Sequence, residues 1–194
     1  MALERRTFLC IALGAAASAG FGGSAVAITA DGGAKQFMEA IAKDLFAAAK
    51  NGSSDAFLNV ITRYADIRAI AQYCVGNYAA RFAPQMTKRL NKGVAQFMAH
   101  YFADQAEKYR VVSAEIKEER PYDEESVVVG SRIYLASGSS YSVDWLLAPQ
   151  GRRYKVRDVR VLGFWLSPFQ RRLFTNHIDK NGGDVRALLA ALRV

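Results

Sequence analysis

The sequence predicts an α+β domain in which helices flank an antiparallel sheet and cover one of its faces. Two observations carry this. Apolar residues recur at three- and four-residue steps in the first half of the chain, and at two-residue steps from about residue 109 to 161. The period then returns to helical, so the order is helices, four strands, helices.

The first helix is read in "AKQFMEAIAKDLFAAAKNG", with Phe37, Ile41, Leu45 and Ala48 on one stripe and Asn51-Gly52 as its stop. A second is expected from about Thr62 to Phe82, carrying Ile67, Ile70, Ala71, Cys74 and Tyr78 along one face until Pro84 breaks it. A third begins near Thr87, with Leu90, Val94, Phe97 and Tyr101 in line and Met98 and Phe102 beside them. Such aromatic stripes ordinarily mean core.

Four strands follow, in the manner of a meander: "YRVVSAEIKEE", "SVVVGSRIYLASG", "SSYSVDWLLAP" and "RRYKVRDVRVLG". Val127, Val129, Ile133 and Leu135 share a side of the second. Tyr141, Val143, Trp145 and Leu147 oppose Ser142 and Asp144 on the third. Val156, Val159 and Val161 run through the fourth, with Asp158 among them. Pro149-Gln150-Gly151 is a hairpin turn. Ser167-Pro168-x-Gln170 predicts a helix start with Ser167 as its cap, Gly182-Gly183 a stop, and Asp184 a cap for the last helix.

The first 27 residues read as an export leader. Arg5 and Arg6 precede an apolar stretch from Phe8 to about Ala17, and Ala25-Val26-Ala27 has the small-x-small pattern of a cleavage site. "RRTFL" resembles the twin-arginine motif, although Glu4 stands where Ser or Thr is usual; a general-secretory leader leads to the same periplasmic destination. Cleavage leaves residues 28–194 as one domain, without a transmembrane segment. Losing Glu4, Arg5 and Arg6 leaves 24 basic and 17 acidic residues, a net charge near +7. That balance favours anionic partners, and export argues against nucleic acid. Cys74 alone survives processing, so no internal disulfide is expected, and its helical address makes it a small buried hydrophobe.

Signatures of chemistry are sparse. His100 and His177 are the only histidines and belong to no zinc-binding pattern. No GxSxG elbow, phosphate loop or GxGxxG is present, so no cofactor and no catalytic residue is assigned. Asp158 is the one carboxylate with an interesting address. Beside an apolar pocket it would serve as a general base in a small isomerase or dehydratase; the plainer role is pairing with Arg157, Arg160 or a backbone amide. Basic groups at 88–89, 152–153, 155–160 and 171–172 flank the most apolar part of the chain. That arrangement suits an amphiphile with an anionic or polar head. Reversing Arg171 and Arg172 is expected to spare folding and weaken docking to an acidic partner.

Two blocks carry a family resemblance. "DIRAIAQYCVGNYAARFAPQMTKRLNKGVAQFMAHYFA" and "YKVRDVRVLGFWLSPFQRRLFTNHIDKNGGDVRALLAALR" resemble the MlaC, or toluene-tolerance auxiliary, family of periplasmic lipid-binding proteins. Asp66, Gly76, Tyr78, Phe97 and Tyr101 stand at recurrent positions of the first block. Asp158, Gly163, Leu166, Gln170, Arg171, Phe174, Gly182 and Leu189 do so in the second. Leu162 and Trp165 depart from the family, which often has an acidic residue and a Ser there, and the turn is greasier for it. "NGGDV" is closest to a branch associated with hopanoid synthesis.

The resemblance implies a nuclear-transport-factor-like curved sheet with helices enclosing an apolar cavity, and a shuttle rather than an enzyme. Its ligand would be phospholipid or a polycyclic lipid. Its partners would be an inner-membrane substrate-binding domain protein with an ABC transporter, and an outer-membrane lipoprotein complex. The candidate tail-binding wall comprises Ile67, Ile70, Cys74, Tyr78, Phe97 and Tyr101 from the helices. Val127, Val129, Ile133, Val143, Trp145, Leu147, Val159 and Val161 come from the strands. Phe164, Trp165 and Leu166 are expected at the cavity mouth.

Overall fold

A computed structural model of the chain describes residues 33–151 and 153–194. The leader expected at residues 1–27 lies outside them. Helix α1 spans Gly33–Asn51, and its first turn is anchored by the strand that follows much later: the Ala34 amide donates to Glu119 Oε2 at 2.9 Å.

The single helix expected over residues 62–82 is instead three pieces. Helix α2 (Ser54–Tyr64) starts on Ser53, whose hydroxyl accepts from the Ala56 amide at 3.2 Å. Helix α3 (Ile67–Val75) follows, and Gly76–Arg81 forms a 3-10 turn. The break at Ala65-Asp66 has a tertiary cause. The Asp66 amide donates to the Val156 carbonyl at 2.9 Å, so this junction docks on a strand edge. Asp66 then caps α3 through the Ala69 amide and pairs with Arg157 Nε at 2.9 Å. Pro84 opens helix α4 (Pro84–Lys108) as its first residue, where its missing N–H costs nothing.

The sheet is an antiparallel meander of five strands: β1 (Val111–Pro121), β2 (Val127–Leu135), β3 (Ser140–Gln150), β4 (Arg153–Val161) and β5 (Phe164–Trp165). The fifth, not expected, arises because Leu162 and Gly163 both take positive φ, +51° and +87°. Two such residues make the tight turn whose twist suits a hairpin. Glycine does this freely; leucine gives up roughly 1 kcal/mol or more. The edge strand β1 is irregular at two places and mostly charged on its exposed side, which discourages pairing with another chain.

Register fixes the faces. Val129 lies opposite Trp145, which lies opposite Val159; Ser131, Val143 and Val161 form the next row, and Val127 faces Leu147. Between Leu146 and Leu147 the β3–β4 register slips, so β4 carries one extra residue there and still presents Val156 beside Leu147.

Helix α5 (Leu166–Lys180) leaves β5 without a loop. Trp165, not Ser167, stands at its cap position and offers no side-chain bond. The cap comes from the neighbouring strand: Asp158 Oδ1 accepts from the Ser167 amide at 3.0 Å. Asp184 caps α6 (Val185–Ala191) as expected, accepting from the Arg186 amide at 2.9 Å. Cys74 is fully buried against α5, its Sγ 3.5 Å from Gln170 Oε1.

Three apolar clusters result. Helices α3 to α6 form one around Phe174, Ile178, Leu188 and Leu189. Helix α1 meets the sheet in a second, through Met38, Ile41, Val129, Leu147 and Val156. Helices α1, α2 and α4 close a third around Phe57, Ile61 and Ala99.

Candidate binding site on the inner sheet face

The face of the sheet that receives α1 is called inner here. Strand alternation puts Val127, Val129, Ser131 and Ile133 on it from β2, Tyr141, Val143, Trp145 and Leu147 from β3, and Val159 and Val161 from β4. At one end the wall is sealed. Met38 and Ile41 of α1 pack on Val129, Leu147 and Val156, all of them buried.

Trp145, Val159 and Ile116 pack against this cluster yet stay only partly buried, as does Val161; Val143 and Ile133, further along the face, are buried. Helix α4 packs mainly on α2, α3 and α6. Its last turns bring Tyr101 near Tyr141 of β3 and Tyr109. Burial first, then the neighbouring phenols, pushes the Tyr101 hydroxyl above the usual tyrosine range; burial and Tyr109 do the same to Tyr141. Tyr101 and Tyr141, both partly buried, stand at the Ile133–Val143 end of the face, each ring with an apolar body and a polar tip.

The wall consumes its own polar atoms. Trp145 Nε1 donates to Ser131 Oγ at 3.0 Å, and Ser131 donates onward to the Val143 carbonyl at 3.2 Å. Among the described residues, no buried side-chain nitrogen or oxygen lacks a partner, and no cluster of His, Cys, Asp and Glu could hold a metal ion. What such a surface can do is exclude water from something apolar.

Asp158 does not face this wall as a base. Its carboxylate accepts from the Val159 amide at 2.8 Å and from Ser167, joining β4 to the start of α5. Burial pushes its carboxyl above the ordinary value, and the amides of Ser167, Val159 and Leu166 pull it back. The backbone-amide role weighed from sequence is the one it has.

The expected site residues fall into four groups. Val127, Val129, Ile133, Val143, Trp145, Leu147, Val159 and Val161 share the inner face, and Tyr101 stands near Tyr141 at one end of it. Ile70, Cys74, Tyr78 and Phe97 belong to the helical cluster; Phe97 meets the Phe174 ring edge-on at 5.3 Å, and the Tyr78 hydroxyl donates to Asp179. Ile67 packs in the α1–α2–α4 cluster.

The last group is at the β5 corner. Leu166 begins α5, and Phe164 is 44% exposed with its ring 6.4 Å from Phe169. Trp165 pairs with Arg160 on the outer face, its ring beneath that guanidinium at 5.0 Å and edge-on to Tyr122 at 5.7 Å. Arg160 and Arg120 also share Asp144, at 2.9 and 3.0 Å. Tyr141, Ser131, Met38 and Ile41 were not among the expected wall residues. Alternation already put Tyr141 on the Val143 face and Ile41 lay on the first helix's apolar stripe, but a stripe does not say that it seals a sheet.

The family model of the MlaC protein matches residues 33–194. The chain belongs to the MlaC family. This is a family of periplasmic lipid-binding transport proteins. The MlaC fold is also seen in a solved structure, that of the phospholipid-binding protein from Ralstonia solanacearum in complex with a phospholipid. It superposes with a TM-score of 0.69 at 20% identity, over 83% of this chain and 95% of that one. At that identity the likeness shows the shared fold. No curated protein matches the sequence. No described helix is long and apolar enough to cross a membrane.

Proposed function

We propose that this MlaC-family protein is a periplasmic carrier that holds lipid tails against the inner sheet face. The observation that carries it is a half-covered apolar wall, from Val129 and Trp145 to Val159 and Val161, sealed by α1 at one end and rimmed by tyrosines at the other. The same fold in Ralstonia solanacearum holds a phospholipid.

The energetics suit carriage. Tails of some thirty methylenes represent roughly 25 kcal/mol of water exposure at about 0.8 kcal/mol each. A bilayer offers the same burial, so exchange between carrier and membrane is close to neutral. Partners can then set its direction. Those partners are proposed to be an inner-membrane substrate-binding domain protein with its ABC transporter, and an outer-membrane lipoprotein complex. The lipid is phospholipid or a polycyclic, hopanoid-type lipid. The resemblance of the "NGGDV" junction to a branch associated with hopanoid synthesis is what supports the second.

Native mass spectrometry of protein purified from its own host, followed by organic extraction, tests this. A bound lipid mass that disappears on extraction is expected. Protein that is empty and also refuses added lipid would sink the proposal.

A further inference from the structure

We propose that the tip of the β4–β5 hairpin, Leu162 and Phe164, touches an anionic lipid surface, with Arg171 and Arg172 of α5 supplying the charge. The occasion for that contact rests on the carrier function proposed above.

Leu162 is the most exposed large apolar residue described, at 67%, and Phe164 is 44% exposed. Both stand on a turn that projects: no atom lies within 4 Å of where a Cβ on Gly163 would be. Leu162 holds its place at a φ that leucine disfavours, so the backbone presents this side chain against its own preference. The apolar surface continues from Phe164 to Phe169, and the Arg172 guanidinium lies over the Phe169 ring at 4.9 Å. Arg171 lies over Tyr73, itself 44% exposed, at 5.2 Å.

Along the chain the tip is flanked by basic residues, and the acidic groups nearest it in space are Asp144, already paired, and Asp123, Glu124 and Glu125, which follow the Tyr122 that meets Trp165. No acidic residue occurs between Asp158 and Asp179, or between Asp66 and Asp104. The four that bound those stretches are accounted for. Asp158 caps α5, Asp66 pairs with Arg157, Asp179 accepts from Tyr78, and Asp104 lies far along α4. Arg160 is matched by Asp144; Arg172 is exposed over Phe169, and Arg171 is half-buried over Tyr73 and against Gly76.

A convex tip of two apolar side chains is small for a stable protein interface, which needs surface on the order of 1,200 Å² in total. It suits shallow insertion among headgroups, with arginines at the phosphate level, where apolar burial and charge attraction add.

The test uses the processed protein recovered after export, so that the apolar leader does not itself hold vesicles. Co-sedimentation is measured with vesicles of phosphatidylglycerol and phosphatidylcholine, and with phosphatidylcholine alone. Binding to the anionic vesicles that weakens with salt is expected. Leu162→Asn with Phe164→Ser should lose about tenfold or more of it, two apolar side chains being withdrawn. Asparagine tolerates the positive φ, so the urea midpoint should hold. Arg171→Gln with Arg172→Gln, away from the tip, should weaken binding and flatten its salt dependence.

Wild-type protein that ignores anionic vesicles, or a tip variant that binds them as wild type does, overturns the proposal. Loss of a co-purifying protein partner with vesicle binding intact would also overturn it and assign the tip to protein docking. Lipid content is read separately by mass spectrometry. A protein that is empty and refuses added lipid, yet whose tip binds vesicles, would sink the carrier function and leave this inference standing; a loaded protein that ignores vesicles does the reverse.

Discussion

Replacing Asp158 separates a structural carboxylate from a chemical one. In Asp158→Ala the Ser167 and Val159 amides lose their acceptor, and the α5 N-terminus loses its only described cap. Losing a helix cap costs about 0.5–2 kcal/mol, and leaving a buried amide unpaired about 1–3 kcal/mol. Relief of the buried charge offsets part of this, so about 2–3 kcal/mol is expected, read as a lower urea midpoint. Asp158→Asn keeps an oxygen in place and should cost under about 1 kcal/mol, mainly lost attraction to the helix dipole. The proton adds a second readout. Burial raises this carboxyl above its ordinary 3.8, so the folded state holds the proton more tightly than the unfolded chain does. Its contribution to stability is full below the unfolded value and is lost as pH rises through the raised folded one. The stability of wild type relative to Asp158→Asn should therefore fall as pH rises from about 3 toward neutrality. An Ala variant within about 0.5 kcal/mol of wild type would refute the capping role. Unchanged stability with lost turnover of some small molecule would restore the general-base reading.

Other predictions follow from single contacts. Gly93→Ala on α4 would put a Cβ 2.7 Å from Val194 Cγ2 and 2.9 Å from Leu192 Cβ; despite the better helix former, a loss of about 1–2 kcal/mol is expected by urea denaturation. Leu162→Gly should gain up to about 1 kcal/mol, seen as a higher Tm, because glycine takes φ +51° without strain. Cys74, whose thiol is pushed up to about 12 by burial, then Asp158, should resist alkylation at pH 8 in the native protein and react at once in urea. Trp145→Phe should lower lipid loading less than Trp145→Asp, which places a charge on the wall and should also destabilise the fold by a few kcal/mol, checked by extraction and by urea midpoint.

The strands were legible because their signal is local. Alternation in "SSYSVDWLLAP" states which side chains share a face, and the register confirms Val143, Trp145 and Leu147 together. The helices were legible as stripes, but a stripe does not say what it packs against. Ile70 and Cys74 lie on the same stripe as Tyr78 and belong to a helix-only cluster, because α3 docks beside β4 through Asp66 and not over the sheet. The same docking breaks the helix at Ala65, and the one local sign of it is Asp66, the residue that caps α3. Ser167 was read as a cap from the sequence next to it; the better acceptor came from a strand nine residues earlier, which only the hairpin at Leu162-Gly163 brings into reach.

The distribution of burial on the inner face is itself an argument about mechanism. A protein selected for stability alone would cover Trp145, Val159 and Val161 as it covers Val129 and Leu147, since each half-exposed apolar side chain forgoes about 25 cal/mol per Å². Leaving them open lowers the stability of the empty form and, on the proposed function, lets a lipid tail complete the core. The ligand then acts as a removable piece of packing, and loading should raise Tm with lipid concentration, as mass action requires. Met38 and Ile41 seal one end of the wall, so the proposed carrier function has a tail enter from the end where Tyr101 and Tyr141 stand. Filling the wall permanently, with Val161→Phe, should raise the Tm of the empty protein and depress lipid uptake together. A Tm gain with uptake unchanged would place the tails elsewhere.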